Sequence, residues 1–236
     1  MKQKLVLFDI DGTLVSATNK GVEYWKKRVR KVFSEVYKVH HEFPIDVKEF
    51  NGLVDKKLLK TIGVRLGISE EIFIKNFPRA KNVFYTQLKE AISRKEIKYF
   101  PITTAINLVE KLLKKEHLKL GIVTGNIEKN GWLKLKSAGI NHFSFGAFGD
   151  EVVERKDLVV HAIEKANSHF KTKFLPQEVV VIGDTVHDIH AGKVNGVVAI
   201  AVATGMTDTK DDLRKAGADV VVDALNDKEV LEFFGM

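Results

Sequence analysis

Cysteine is absent from the 236-residue chain. That excludes disulfides, thiolate metal sites and a cysteine nucleophile, and it fits a reducing compartment. Long apolar runs are lacking as well. Leu5 to Phe8 is only a handful of residues before the acidic DIDGT, too short for a secretory core or a membrane span, so a cytoplasmic protein with no membrane role is expected. Prolines number four, and there is no Gly/Ser-rich linker, internal repeat or low-complexity stretch. What remains is ordinary globular material, 44% hydrophobic and 29% charged, enough for one sizeable core and a smaller second domain. The net charge of +7 is spread over helical stretches such as WKKRVRKV and interleaved with glutamates. Solvated helix faces are expected from it, and no nucleic-acid surface, although a positive field favours the approach of a small anionic substrate.

The stretch LVLFDIDGTLV, residues 5–15, organises the chain. Its apolar start reads as a strand buried on both faces of a parallel sheet. Asp9 and Asp11 end that strand. Residues two apart on an extended backbone share a side, so both carboxylates are expected to converge at the strand's C-terminal edge, where open α/β sheets bind ligands. Gly12 then permits a sharp turn. Two adjacent carboxylates cost free energy unless a cation or a shared proton relieves them. An Asp-rich turn is also common loop chemistry, so the later strand ends decide between the two readings.

Residues 18–95 read as helical throughout, with apolar residues at spacings of three and four in YWKKRVRKVFSEVY, VDKKLLKTIGVRLGI and IFIKNFPRAKNVFYTQLKEAI. From Ile97 the pattern changes. Apolar runs LKLGIVT, FSFGAF, EVVVIGD, VVAIAV and DVVV alternate with helical segments, which predicts an α/β fold with a doubly wound, parallel, Rossmann-like sheet. An insertion of roughly 80 residues is longer than any loop, so a separate all-helical domain is expected. The division reads as a core of residues 1–16 and 97–236 and a helical domain of 17–96, with hinges near 15–18 and 95–100.

Three later segments supply candidate chemistry. LGIVT ends in Thr124, followed by Gly125 and Asn126 before a helix, a hydroxyl and free N–H groups that suit an anion; an ordinary N-cap is the alternative. VVVIGD ends in Asp184, with Asp188 four residues on, placed so that both carboxylates can face one pocket if Asp188 is helical. Arg155 and Lys156 precede another helix. A cation there opposes the helix dipole and requires a local anion.

Asp-x-Asp-Gly-Thr after the first strand, a strand ending in Thr124, a basic residue before a helix, and Gly-Asp-x-x-x-Asp after a fourth strand resemble, in that order, the four motifs of the haloacid dehalogenase-like hydrolase superfamily. The resemblance spans essentially the whole chain, because the helical insertion is similar to that family's cap domain. It implies a Mg²⁺-dependent phosphatase acting on a small phosphorylated metabolite. Asp9 would be the nucleophile that forms an aspartyl-phosphate, and Asp11 the general acid/base. Thr124, Gly125 and Asn126 would hold phosphoryl oxygens, and Arg155 or the adjacent Lys156 would neutralise charge. The metal set would be Asp9, Asp184 and the backbone carbonyl of Asp11, with Asp188 acting through water or orienting the loop.

Other chemistries occur on that scaffold. A dehalogenase attacks carbon and needs no second acid, so Asp11 speaks against it. A phosphonate hydrolase needs a Schiff-base lysine from the cap, and a hexose phosphomutase differs in cap contacts. A non-catalytic Mg²⁺- or phosphate-binding protein is the alternative from another class. Substrate choice is expected in the cap near Asn51, Gly52, Asp55 and Lys56, which are similar to the Gly-x-Thr-Asp segment of many caps, with Val54 where Thr is usual. Oligomeric state is not legible.

Overall fold

In the computed structural model the chain is described over residues 2–18, 21–50 and 52–236. Its centre is β1 (Lys4–Phe8). β4 (Leu118–Thr124) lies on one side with Ile122 opposite Phe8, and β6 (Val179–Gly183) on the other with Ile182 opposite Phe8. β5 (Gly146–Phe148), β7 (Val198–Val202) and β8 (Val220–Val222) complete a parallel sheet of order β5-β4-β1-β6-β7-β8. Being interior explains the unbroken apolar run of β1. Val6 and Phe8 pack with Ile122, Ile182 and Ile200 on one face, while Leu5 and Leu7 pack with Val123, Val179 and Val181 on the other.

Helices α5 (Thr103–Leu113), α6 (Glu128–Ser137), α7 (Arg155–Phe170), α8 (Val186–Val194) and α9 (Lys210–Lys215) connect the strands, and α10 (Lys228–Phe233) follows the last of them. The protein is thus an α/β, Rossmann-like fold. Two local expectations need correction. FSFGAF is a strand only over Gly146–Phe148. The stems of the insertion pair as an antiparallel ribbon, β2 (Val15–Ala17) against β3 (Tyr99–Pro101). Three residues a side are too few to show periodicity, but pairing satisfies backbone groups that would otherwise be stranded beside the core.

Between these stems lie α1 (Gly21–Tyr37), α2 (Val47–Phe50), α3 (Asp55–Arg65) and α4 (Glu70–Ser93). The insertion is not helical throughout. Residues 38–46 form an irregular link, opened by Lys38 in the left-handed region at φ 62° and kept from helix by Pro44. α1 and α4 pack through Val32, Phe33, Phe73, Phe77 and Phe84. The insertion does not stand clear of the sheet: Leu88 and Ala91 of α4 join the sheet-side core, and Ile127 before α6 joins the helical cluster. No helix of the described residues is long and apolar enough to cross a membrane.

Candidate active site

The loops leaving β1 and β6 bring three buried carboxylates together. Asp9, Asp184 and Asp188 each offer an oxygen within 4.8 Å of the others. Asp9 extends the ladder of β1 by donating its N–H to the Ile182 carbonyl at 2.9 Å. Gly12, at φ 76°, lets the chain turn against Asp184; a Cβ there would lie 2.6 Å from the Asp184 carboxyl carbon. The Thr13 hydroxyl donates to Asp184 Oδ1 at 3.1 Å. Asp188 works twice. Its Oδ2 accepts the Thr185 hydroxyl at 2.6 Å and N–H at 3.2 Å in a capping box, while Oδ1 accepts from Arg155 Nη2.

Arg155 is the first residue of α7, where a cation opposes the dipole. Its compensating anions are Asp188 and Asp9, the latter 3.2 Å from Nη2. Burial works against the guanidinium, but Asp188 and Asp9 outweigh it and hold Arg155 more firmly protonated than usual. Lys156 is exposed, so between the two adjacent cations it is Arg155 that reaches the cluster. Asp9 is pushed up to about 7 by burial and by the Asp188 charge, against the opposing pull of Arg155. Asp184 is raised by burial and by Asp9 and Asp188. One arginine among three buried carboxylates leaves negative charge uncompensated, and an all-oxygen donor set of this kind suits a hard divalent cation.

The Asp11 carboxylate stands outside that set of three. β1 has ended before it, yet Asp11 stays close enough to act on the same cluster, its charge adding to the upward push on Asp9 and Asp184. Asp11 Oδ2 accepts from Lys134 Nζ at 2.5 Å and Asn126 Nδ2 at 2.7 Å. Asn126 is gripped on both sides, since Lys134 also donates to its Oδ1 at 2.7 Å and its Nδ2 reaches Thr124 Oγ1 at 2.9 Å. Burial raises the Asp11 carboxyl, but the Lys134 cation and both hydrogen bonds bring it below its ordinary value. Lys134 is itself buried. This corrects the reading of the basic residues as solvated helix faces, and so does Arg28, buried on α1.

The insertion closes on these loops. The Asp55 N–H donates to the Gly125 carbonyl at 2.7 Å, and Asp55 Oδ2 accepts the Ile127 N–H at 2.8 Å. Burial pushes Asp55 up to about 6, with the Ile127 N–H opposing. Gly52 takes φ 70° against the ring of His187, and an added Cβ would sit 2.8 Å from its Cγ. Lys57 bonds Glu154 at 2.7 Å, and Lys81 bonds Asp150 at 2.8 Å. The Lys56 N–H points at the Gly149 carbonyl at 3.3 Å while its ammonium lies 5.8 Å from the Phe77 ring centroid. Among the described residues Lys56 makes no ion pair to the acids of the cleft; Asn51 lies outside the described residues.

Sheet order, an insertion directly after the first strand and acids at the C-terminal sheet edge define a Rossmann-like enzyme fold with a helical segment over its cleft. The chain belongs to the haloacid dehalogenase-like hydrolases, whose family model matches residues 6–202. It is 28% identical over 250 residues to glyceraldehyde 3-phosphate phosphatase of Methanothermobacter thermautotrophicus, covering 97% of this chain and 99% of that protein. It is 26% identical over 203 residues to pyrophosphatase PpaX of Bacillus mycoides, covering 86% of this chain and 85% of that one. CbbY from Rhodobacter sphaeroides, solved in complex with phosphate, shares the fold with a TM-score of 0.69 at 18% identity, covering 95% of this chain and 96% of that chain.

Proposed function

We propose that the chain is a Mg²⁺-dependent phosphatase that hydrolyses a small phosphomonoester in the cytoplasm through an aspartyl-phosphate. The observation that carries this reading is the trio Asp9, Asp184 and Asp188, with Arg155 bridging two of them. Asp9 attacks phosphorus, the phosphorus–oxygen bond to the leaving group breaks, and Asp11 delivers a proton to the departing oxygen. In the second half Asp11 takes a proton from water, whose oxygen attacks phosphorus and frees Asp9 and inorganic phosphate. Thr124, Gly125 and Asn126 hold the phosphoryl oxygens, and Arg155 offsets their charge as the group transfers.

Asp9, Asp184 and the Asp11 carbonyl would hold Mg²⁺, with Asp188 behind them. The bound ion supplies neutralisation of charge between an anionic nucleophile and an anionic phosphate. Residues 17–96 act as the cap, and Gly52, Asp55 and Lys56 form its contact with the core loops. A Schiff-base phosphonate route finds no support in Lys57, Lys60 and Lys81, which pair with Glu154, Glu70 and Asp150. The partner is a small phosphorylated metabolite, consistent with the names of the two relatives.

Phosphate release from p-nitrophenyl phosphate, with and without Mg²⁺, tests the reading, and a metabolite panel then narrows the substrate. Mg²⁺-dependent release that disappears in Asp9→Asn is expected. Turnover that survives in Asp9→Asn, or none in the parent, overturns it.

A further inference from the structure

Arg28 on α1 is 3% exposed yet pairs with no carboxylate among the described residues. Its Nη2 donates to the Phe84 carbonyl at 2.8 Å, its guanidinium lies 3.8 Å from the Phe84 ring centroid, and its Nε has no partner. Asp55 and Asp11 act on it electrostatically without touching it. Lys134, the second buried cation, acts on the same Asp11, Asp55 and Tyr99, which places both cations in one neighbourhood between insertion and core.

Two buried amides lie on the elements that meet there. Asn130, one turn before Lys134 on α6, is 1% exposed, and neither its Nδ2 nor its Oδ1 finds a partner. Gln87, three residues after Phe84 on α4, is 7% exposed; its backbone carbonyl accepts the Tyr24 hydroxyl at 2.7 Å, but its Nε2 is unpartnered. α4 packs against α6. An unsatisfied buried polar atom is costly, and a buried cation without an anion more so. Native folds keep few such groups, and a cluster of them beside a reaction centre points to a ligand that completes it.

We infer that Arg28, Lys134, Asn130 and Gln87 form an anion-binding subsite for the leaving part of the substrate, so that the chain selects phosphates whose leaving group carries a second negative charge. This rests on the phosphatase reading for the position of the scissile phosphate at Asp9. Arg28 and Lys134, which act on the same Asp11 and Asp55, can donate to a carboxylate or to a second phosphoryl group equally well. Asn130, with both a donor and an acceptor free, completes recognition through a hydroxyl or carbonyl on the same fragment. A neutral leaving group would bury Arg28 still unpaired.

The test compares kcat/KM for 3-phosphoglycerate against glycerol 3-phosphate, a carboxylate arm, and for inorganic pyrophosphate against p-nitrophenyl phosphate, a phosphoryl arm. The charged member is expected to win in at least one arm. Arg28→Met should lower kcat/KM for that member by about 30-fold or more, leave p-nitrophenyl phosphate within about two-fold, and be partly rescued in Arg28→Lys. Should Arg28→Met fold poorly, Asn130→Asp, which adds a negative charge to the subsite, is expected to penalise the charged member selectively. A parent that prefers the neutral members in both arms, or variants that lower all substrates alike, overturns the inference. If p-nitrophenyl phosphate is not hydrolysed at all, the phosphatase reading fails. Calorimetric binding of 3-phosphoglycerate and glycerol 3-phosphate to parent and Arg28→Met then decides the subsite alone, and equal affinities sink it.

Discussion

The carboxylate of Asp55, first residue of the cap helix α3, accepts the backbone N–H of Ile127 at 2.8 Å, so a side chain of the insertion caps a helix of the core. Ile127 immediately precedes α6, whose N-terminal groups have no intrahelical partner. Asp55 therefore ties the insertion to the segment Thr124–Ile127 twice, through this bond and through its own N–H donated to the Gly125 carbonyl. Asp55→Ala should cost about 1–3 kcal/mol, the loss of a buried bond to a charged acceptor, and lower kcat/KM on every substrate. Asp55→Asn keeps an acceptor and should cost less. Thermal unfolding of both variants checks the order, and equal losses would mean that the bond does not hold the cap.

Asp9→Asn is expected to remove turnover without destabilising the metal-free protein. An amide is a poor nucleophile of nearly the same shape. It also removes one charge from a trio in which burial and mutual repulsion have raised Asp9 to about 7. Calorimetry in chelator should give a melting temperature equal to or above the parent's. A marked drop would show that the Arg155–Asp9 contact outweighs the repulsion.

The same acids set a pH dependence. Asp9 stands at about 7 and Asp55 at about 6, against an ordinary value of 3.8. Raised carboxyls hold protons in the folded state that the unfolded chain has released, so their stabilisation is complete below 3.8 and is lost as pH rises through 6 and 7. Asp11 is lowered; its opposite contribution is already complete above its ordinary value and adds no slope there. The melting temperature of the metal-free protein should fall between about pH 5 and about pH 8. Mg²⁺ should recover most of the loss at the upper end, by about 2.7 kcal/mol at a hundred times its Kd. A flat profile in chelator would remove the crowding argument.

Much of this architecture is legible in the sequence because burial on both faces leaves unbroken apolar runs, as in β1 and β6, and because each run ends in a recognisable polar group such as Asp9, Thr124 or Asp184. The ribbon β2–β3 and helix α10 are too short to show a period. Arg28 and Lys134 are invisible to net charge, which carries no information about helical phase. Arg28 lies four residues before Val32 and eight before Val36, on the buried stripe of α1, and Lys134 lies four residues after buried Asn130. A cation on a buried stripe is the signal that composition conceals. The cation that Asp11 pairs with could not be read at all, since it is a lysine 123 residues further along the chain.

Lys134→Met tests what that lysine does for Asp11. Its ammonium donates to Asp11 Oδ2 at 2.5 Å and to Asn126 Oδ1 at 2.7 Å, so the substitution strands an acid and an amide together. Breaking a fully buried pair costs about 3–5 kcal/mol. The Asp11 side chain is 46% exposed, and water can take over part of the solvation, so a loss of about 1–3 kcal/mol is expected. Burial raises the Asp11 carboxyl and Lys134 is the main opposing influence; removing it should move the carboxyl upward. If Asp11 is the base that activates water, the acid limb of the kcat profile shifts to higher pH, because a higher pH is then needed to ionise it. Leaving groups that need a proton should suffer less than those that do not, since a raised Asp11 is less populated as a base and more populated as an acid at a given pH. Measuring pH–rate profiles on p-nitrophenyl phosphate and on an alkyl phosphate separates these effects. An unshifted acid limb, with stability lost as expected, would assign Lys134 to packing alone and move the titrating base away from Asp11.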